Sequence, residues 1–425
     1  MKKTLCFILA LMMIMTLISC GKAADDSSDS KGSSGTQVKD LPDALENGDV
    51  RFFLWNEPSV EDIDFFTGFE EKYGGTVNYE VTTWGQLEAK ILASIAADDA
   101  PDLIWTYDAN YIKNAVNGVI APIDDLIDLD DGLWDEMSKK MTWDGKHYLP
   151  IPKGATSEVL VYYNKTMFEN NGVKTPTDYW KEGNWTLENF QKCATDLTKD
   201  TDRDGKIDQY GWASWRFFDF GLANGGAIVT KNSDDKSVTV SMGSESMKYG
   251  LQFLNDAYQK QKFAKPNGNI EFQTALQSGT VAMVTENSYI GTLCGKMTDK
   301  WDIVPFPIAP NNTEKKNIIT ALGWGLSANA PNPEGAVAYM KMYAEYKTKS
   351  ERKQLSKHFT EEQLEIIYNA RKNPIDPRID ENFGVWANSQ YSLTGALISQ
   401  PTDISALIAQ WTPVLDQQIS TTLKK

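Results

Sequence analysis

Short apolar runs alternate with stretches in which apolar residues recur every three or four positions, from Val50 to the C-terminus. The short runs have the length of strands, and the recurring spacing is typical of amphipathic helices. This alternation predicts an α/β body with mainly parallel sheets. The strand candidates are Val50–Trp55, Thr76–Thr82, Asp102–Tyr107, Glu158–Asn164, Val281–Thr285, Trp301–Phe306 and Thr320–Leu326.

Helices are predicted between these strands, and polar residues suited to capping stand at several of their starts. Thr360 and Gln363 have the spacing of a capping box, in which each side chain bonds to the other residue's backbone N–H. Pro413 is expected to kink or restart the last helix, because proline has no N–H to donate. The predicted helices are 86–97, one opened by Thr186, 246–263, 333–346, one opened by Thr360, and 404–423.

The N-terminal segment has the pattern of a targeting signal. Lys2 and Lys3 precede the apolar run 5–18, which is too short to favour a resident transmembrane helix. The run ends in Leu17–Cys20, which resembles the lipobox of bacterial lipoprotein precursors. This resemblance implies that residues 1–19 are a cleaved signal peptide and that Cys20 carries the acyl chains that anchor the protein. The alternative is a signal peptide with an incidental cysteine.

Residues 20–49 are interpreted as a flexible tether. The stretch from Gly21 to Gly35 is rich in Ser, Asp, Gly and Lys and has too little apolar surface to bury. An anchored Cys20 followed by a polar tether places the folded body outside the membrane. We expect the surface of a Gram-positive cell, with the periplasmic side as the alternative.

Composition excludes several classes of ligand. The formal net charge of −16 argues against nucleic acid and anionic lipid. Two histidines leave little material for a histidine-centred triad or zinc site. Cys193 and Cys294 are expected to be buried free thiols, with a disulfide as the alternative. Thirteen tryptophans favour a carbohydrate, because an indole stacks on the apolar face of a sugar and also offers an N–H.

The segment Asp200–Asp208 has acidic residues at its first, third, fifth and ninth positions and a glycine at the sixth. Oxygen ligands at alternate positions of a turn of this kind surround a calcium ion. The segment departs from the EF-hand pattern at the twelfth position, where Gly211 replaces a bidentate glutamate. It predicts a structural calcium site, with a solvated acidic turn as the alternative. The expected ligands are Asp200, Asp202, Asp204, Asp208 and the carbonyl of Lys206.

Several segments occur in an order that resembles the family 1 extracellular solute-binding proteins, the sugar receptors of ATP-binding-cassette importers. They extend across nearly the whole chain after the tether. The segments are Lys90–Ala93 with Asp98–Ile104, Tyr162–Phe168, Trp185–Phe190, Phe272–Val284, and Leu322–Leu326 with Asn332–Ala336.

This resemblance implies a periplasmic-binding-protein-like fold of two α/β domains, with a hinge and a ligand cleft between them. Domain one is expected to comprise 50–157 plus 288–335, and domain two 158–287 plus 336–425. The implied function is capture of a carbohydrate, with an oligosaccharide favoured, and its delivery to a membrane permease. The protein is expected to be a monomer that needs no cofactor and catalyses no reaction.

Ligand contacts are expected in loops at strand ends and domain junctions. A sugar needs hydrogen-bond donors and acceptors together with an aromatic platform, and candidates of both kinds stand in these loops. The candidates are Trp55, Asn56, Glu57, Trp84, Tyr107, Asp108, Lys153, Trp215, Arg216, Glu286, Asn287, Tyr289, Trp324 and Trp386.

Three alternatives stay open from the sequence. A surface glycoside hydrolase would use a pair of carboxylates, and the chain has many acidic residues. The same fold can instead bind a peptide, a polyamine or a metal complex. A binding protein can also deliver its solute to a sensor.

Overall fold

The computed structural model describes residues 42–266, 272–288, 294–383 and 391–423. Cys20 and the residues interpreted as signal peptide lie outside this range, as do Tyr289 and Trp386. The strands are β1 (Val50–Leu54), β2 (Val77–Val81), β3 (Leu103–Tyr107), β4 (Thr142–Trp143), β5 (Lys146–His147), β6 (Thr156–Asn164), β7 (Tyr210–Ala213), β8 (Val229–Lys231), β9 (Val238–Val240), β10 (Val281–Asn287), β11 (Trp301–Pro305) and β12 (Ile319–Leu326).

Helices surround these strands, and short 3-10 helices occur at Glu136–Lys140 and Asp380–Phe383. Within the described residues, every helix is too short or too polar to cross a membrane. The helices are α1 (Val60–Tyr73), α2 (Trp84–Ala96), α3 (Tyr111–Val116), α4 (Lys165–Asn171), α5 (Pro176–Lys181), α6 (Leu187–Asp196), α7 (Asp219–Ala223), α8 (Glu245–Gln259), α9 (Phe272–Gln277), α10 (Pro333–Leu355), α11 (Glu361–Arg371), α12 (Tyr391–Ser399) and α13 (Ile404–Leu423).

The main sheet of the described chain has the strand order β2-β1-β3-β12-β6-β10-β7, and β11 also pairs with β6. β1 is parallel to β2 and β3, and β10 is parallel to β7. The other pairs of this sheet are antiparallel. The prediction of mainly parallel sheets is therefore wrong. β6 and β12 run against their neighbours and make the central pairings antiparallel.

β6 and β12 are long strands that join two parts of the sheet. Ile319–Ala321 of β12 pairs with the start of β6, and Leu322–Leu326 pairs with β3. The remainder of β6 pairs with β10 and β11. We call the part around β1, β2 and β3 the first lobe, and the part around β7, β10 and β11 the second lobe. The two strands thus form a crossing between the lobes.

Separate apolar clusters stabilise each side of this crossing. In the first lobe, Phe52, Phe69 and Tyr339 pack together from β1, α1 and α10. In the second lobe, Tyr162 and Leu364 belong to a cluster that covers β6 and α11. A third and larger cluster includes buried residues from both lobes. Burial of this kind is the main term that stabilises such a fold.

Two segments bear on the predicted domain boundaries. β11, which those boundaries assign to domain one, pairs with β6 in the second lobe. The predicted boundaries assign α10 to domain two from Ala336 onward. The first half of this helix nevertheless packs into the first-lobe core. This packing favours different boundaries, and the division of the chain into domains stays a prediction.

The local sequence signals are largely confirmed. All seven predicted strands form, although β7 and the hairpins β4–β5 and β8–β9 were not predicted. The side chain of Thr186 accepts the N–H of Asn189, and Thr360 forms its capping box with Gln363. α13 continues through Pro413 to its end without a restart. Cys193 and Cys294 are buried free thiols, and burial raises the pKa of each to about 12.

Candidate ligand-binding site

Four aromatic side chains meet where β1, β2 and β3 end. The ring centroids of Trp55 and Trp84 are 5.5 Å apart, and those of Trp84 and Tyr107 are 5.9 Å apart. Trp105 lies behind them, 5.0 Å from Trp55. Parallel strands bring their carboxyl ends to one edge of the sheet, which explains this convergence. We call Trp55, Trp84, Trp105 and Tyr107 the aromatic wall.

A cavity of about 340 Å³ adjoins the aromatic wall. Trp84, whose side chain is 55% exposed, stands at this cavity together with Tyr107. The polar lining of the cavity includes Glu88, Lys113 and Glu381, and Lys113 forms an ion pair with Glu88. A cavity of this size with an aromatic side and a few polar groups suits a small organic ligand.

Asp108 follows the aromatic wall at the end of β3, and its backbone N–H donates to the carbonyl of Ala321 in the crossing. The residue is 2% exposed, and its Oδ2 atom has no hydrogen-bond partner in the described chain. Burial raises the pKa of this carboxyl group to about 8, and Arg378 opposes the shift. An unpartnered buried carboxyl oxygen is costly unless something binds it.

The segment Arg378–Asn382 packs against the same strand end. Tyr107 donates its hydroxyl to Glu381 at 3.2 Å, and the backbone N–H of Lys113 donates to Asn382 at 3.1 Å. Burial raises the pKa of Glu381 to about 7, while Arg378 opposes it. The sequence reasoning missed these residues, because they follow no predicted strand. Their signal was a run of charges just before Trp386.

The second lobe contributes the loop after β7 and the end of β10. The indole N–H of Trp215 donates to Glu286, and the guanidinium of Arg216 lies 5.3 Å from the Trp215 ring. Arg216 also forms a buried ion pair with Asp219, at 2.5 Å. Burial raises the pKa of Glu286, and Arg216 opposes that shift.

Charged groups from the two lobes act on one another around Arg378. Arg378 interacts electrostatically with Asp108 of the first lobe and with Asp219 of the second. Arg216 interacts in the same way with Glu381. The structure therefore brings the predicted residues of both lobes around a segment that was not predicted. We call this group the buried charge cluster: Asp108, Arg216, Asp219, Glu286, Arg378, Asp380 and Glu381.

The other predicted residues lie in different surroundings. Asn56 and Glu57 are exposed beyond the end of β1. Asn287 ends β10, and its buried Oδ1 atom has no partner in the described chain. Lys153 is exposed and donates to the carbonyl of Gly132 at 2.6 Å, so it lies against that loop.

The structure corrects the prediction that Trp324 contacts the ligand. Its side chain is 5% exposed and lies in the first-lobe core, with ring centroids 4.8 Å from Phe52 and 5.1 Å from Trp105. The flanking glycines give room to neighbouring segments: a Cβ on Gly323 would lie 2.8 Å from the carbonyl oxygen of Pro150.

A larger cavity of about 530 Å³ lies on another side of Arg378, beside the hairpin β8–β9. Its lysines have carboxylate partners, for example Lys140 with Asp376 at 2.8 Å and Lys231 with Asp235 at 2.5 Å. Tyr111 is the aromatic residue of its described lining. The cavity at the aromatic wall therefore fits a sugar better.

The acidic loop of the second lobe brings three of its carboxylates together. Oxygen atoms of Asp200, Asp202 and Asp208 lie within 4.8 Å of one another. Asp200 also accepts the backbone N–H of Gly205 at 2.8 Å, which holds the turn closed. Asp204 instead accepts the backbone N–H of Lys206 at 2.8 Å. Three of the predicted ligands thus fit a hard cation, while Asp204 lies outside this group.

The bacterial extracellular solute-binding protein family matches residues 65–351 of this chain. A curated relative, the diacetylchitobiose-binding protein DasA of Streptomyces coelicolor, is 24% identical over 223 residues, which cover 52% of this chain and 48% of that protein. A putative binding protein of Brucella abortus is 30% identical over 157 residues, which cover 35% and 37% of the two chains. The matches span less than half the length of these relatives.

Solved structures resemble the fold over almost their whole length. The substrate-binding protein Lmo0181 of Listeria monocytogenes, in complex with cycloalternan, has a TM-score of 0.66 at 19% identity, covering 89% of this chain and 98% of its own. UgpB of Mycobacterium tuberculosis, in complex with glycerophosphocholine, has a TM-score of 0.68 at 15% identity, covering 89% and 100%. These likenesses confirm the two-domain binding-protein fold. With the family match over residues 65–351, the chain belongs to the bacterial extracellular solute-binding proteins.

Proposed function

We propose that this protein captures a carbohydrate, most favourably an oligosaccharide, and delivers it to the permease of an ATP-binding-cassette importer. The observation that carries the proposal is the aromatic wall beside a cavity with carboxylates. Trp84 offers an exposed ring face, and Glu381 offers carboxylate oxygens at the same cavity. Sugar rings present C–H faces to stack and hydroxyl groups to hydrogen-bond, so both kinds of group are needed together.

The comparisons support this choice without deciding it. DasA is named for a disaccharide, and Lmo0181 was solved with a cyclic oligosaccharide. UgpB was solved with glycerophosphocholine, so the same fold also accepts a ligand that is not a sugar. The aromatic wall favours the sugar in this chain.

Binding without catalysis is part of the proposal, because members of this family are binding proteins. The experiment is a thermal-shift screen with mono- and oligosaccharides, followed by calorimetric titration and analysis of the recovered sugar. We expect one sugar to raise the melting temperature, bind at one site per chain and be recovered intact. Steady turnover of an oligosaccharide would instead identify a hydrolase, and no response to any carbohydrate would contradict the proposal.

We also propose that Cys20 is lipidated and that residues 20–49 tether the body to the outer face of the cell membrane. The lipobox-like Leu17–Cys20 supports this. More than one acyl chain would give a stable anchor, and the tether would raise the local concentration of the monomeric receptor at its permease.

A structural calcium ion in the Asp200–Asp208 loop is a further part of the proposal. The convergence of Asp200, Asp202 and Asp208 supports it, and the Lys206 carbonyl is the predicted backbone ligand. Calcium prefers several oxygen ligands of this kind, and weak sites suffice outside the cell. The ion would stabilise the loop before β7 and would take no part in sugar binding.

A further inference from the structure

The buried charge cluster contains more acids than bases. In the described part of the chain, its five carboxyl groups face two guanidinium groups. Four of these acids are almost completely buried: Asp108 and Asp380 are 2% exposed, Asp219 1% and Glu286 0%. The internal segments 267–271, 289–293 and 384–390 contain no lysine or arginine that could add a positive charge.

Both guanidinium groups have a close carboxylate partner. Arg216 pairs with Asp219 at 2.5 Å, and Arg378 pairs with Asp380 at 2.8 Å. At the rim of the cavity, Lys113 pairs with Glu88. The nearby cations are therefore already engaged with acids of their own.

The other three acids of the cluster receive hydrogen bonds from uncharged groups. Tyr107 donates to Glu381, and the indole of Trp215 donates to Glu286. Asp108 accepts the backbone N–H of Arg378, while its Oδ2 atom is buried without a partner. Glu381 also lies 3.9 Å from the guanidinium of Arg378, which already pairs with Asp380. Neutral donors stabilise a carboxylate less than a cation does, so the acids of this cluster share too few cations.

The aromatic wall adds a second attraction for a cation. Tyr107 joins the two features, because its ring belongs to the wall and its hydroxyl binds Glu381. The negative face of an aromatic ring attracts an ammonium group, and the attraction grows when water is excluded. A positive group at the cavity would thus meet a ring face and a carboxylate together.

We propose that the captured sugar carries a protonated amino group, which binds between the aromatic wall and Glu381 of the buried charge cluster. This inference rests on the proposed function and specifies its ligand class. An ammonium group would be attracted by the excess of acids in the cluster, whereas an anionic sugar would be repelled by it. Burial favours the protonated form of Asp108, so Glu381, which lines the cavity, is the carboxylate that the amino group would meet.

The test compares two probes that differ only in acetylation: the disaccharide of glucosamine and its N,N′-diacetyl form. Calorimetric titration of the whole protein at pH 7 should show at least about tenfold tighter binding of the amino form. Equal or tighter binding of the acetylated form, or of another neutral oligosaccharide, overturns this inference and preserves the proposed function. Failure of every oligosaccharide to bind overturns both.

A charge-neutral variant tests the position of the amino group. Glu381→Gln keeps an acceptor for Tyr107 but removes the charge, so the preference for the amino form should fall by about tenfold. Glu182→Gln is the matched control, because Glu182 lies on the surface in an ion pair with Lys174. It should leave the preference unchanged. An equal loss of affinity for both probes in Glu381→Gln would contradict the assigned position of the amino group. Thermal melting reports whether each variant is folded.

Discussion

The tryptophans of the first lobe show how burial separates binding residues from structural ones. Trp84 is 55% exposed beside the cavity, whereas Trp324 is 5% exposed within the core. Trp55 and Trp105 lie between these extremes and join the wall to the core through ring contacts. The same residue type therefore has different roles within one connected aromatic cluster.

We expect Trp84→Ala to weaken sugar binding by about tenfold with little loss of stability, because its ring is exposed and its stacking on a sugar is lost. Trp324→Ala should instead lower the free energy of unfolding by about 3–5 kcal/mol, because it leaves a cavity in the core. Calorimetric titration and chemical denaturation measure the two effects. Unchanged affinity in Trp84→Ala would show that the aromatic wall is not part of the ligand-binding site.

Asp108 makes stability depend on pH. Its pKa is raised from 3.8 to about 8, so between these values the folded state binds a proton that the unfolded state has lost. The free energy of unfolding should therefore fall as pH rises from 5 to 8. Glu381, with its pKa raised to about 7, contributes in the same direction.

Asp108→Asn removes the ionisable group, and the fall in its unfolding free energy should be shallower by up to about 1.4 kcal/mol per pH unit. Urea denaturation at pH 5, 6, 7 and 8 measures both profiles. Parallel profiles for the variant and the original protein would show that Asp108 does not hold a proton in the folded state.

At the scale of elements, the crossing strands β6 and β12 determine where the site forms. β12 pairs with β6 and then with β3, so the strand end that carries Asp108 lies next to the crossing. The loop after β7 reaches the same region through the pairing of β7 with β10.

The Asp200–Asp208 loop is an element whose stability should depend on calcium. Chelation should lower the melting temperature, because an ion bound only to the folded state at 100 times its Kd stabilises by about 2.7 kcal/mol. Asp202→Asn should reduce this response strongly. Asp204→Asn should reduce it less, because Asp204 lies outside the group of converging carboxylates. Calorimetric melting with and without chelator measures the response, and no shift in the original protein would argue against bound calcium.

At the scale of the whole molecule, the proposed anchor at Cys20 would determine where binding occurs. Cys20→Ser should abolish incorporation of labelled fatty acid and release the protein from the membrane fraction, because the acyl acceptor is lost. Cys193→Ser is the matched control and should remain labelled, since Cys193 is a buried thiol. Labelling that persists in Cys20→Ser would show that Cys20 is not the acyl acceptor.

The sequence by itself determined seven strands, several helix starts and the family. These depend on local spacing, such as the apolar run at Val281 and the capping pair Thr360 and Gln363. It also placed Trp84, Tyr107 and Asp108 in the candidate site, because residues after parallel strands converge at one edge.

Only the tertiary structure decided which residues surround the cavity. Glu381 lies 274 positions from Tyr107 in the chain and meets it only after folding. Trp324 was a candidate together with Trp84, and its burial depends on Phe52 and Tyr339 from other elements. Burial and charge pairing are sums over neighbours distant in sequence, so local spacing cannot predict them.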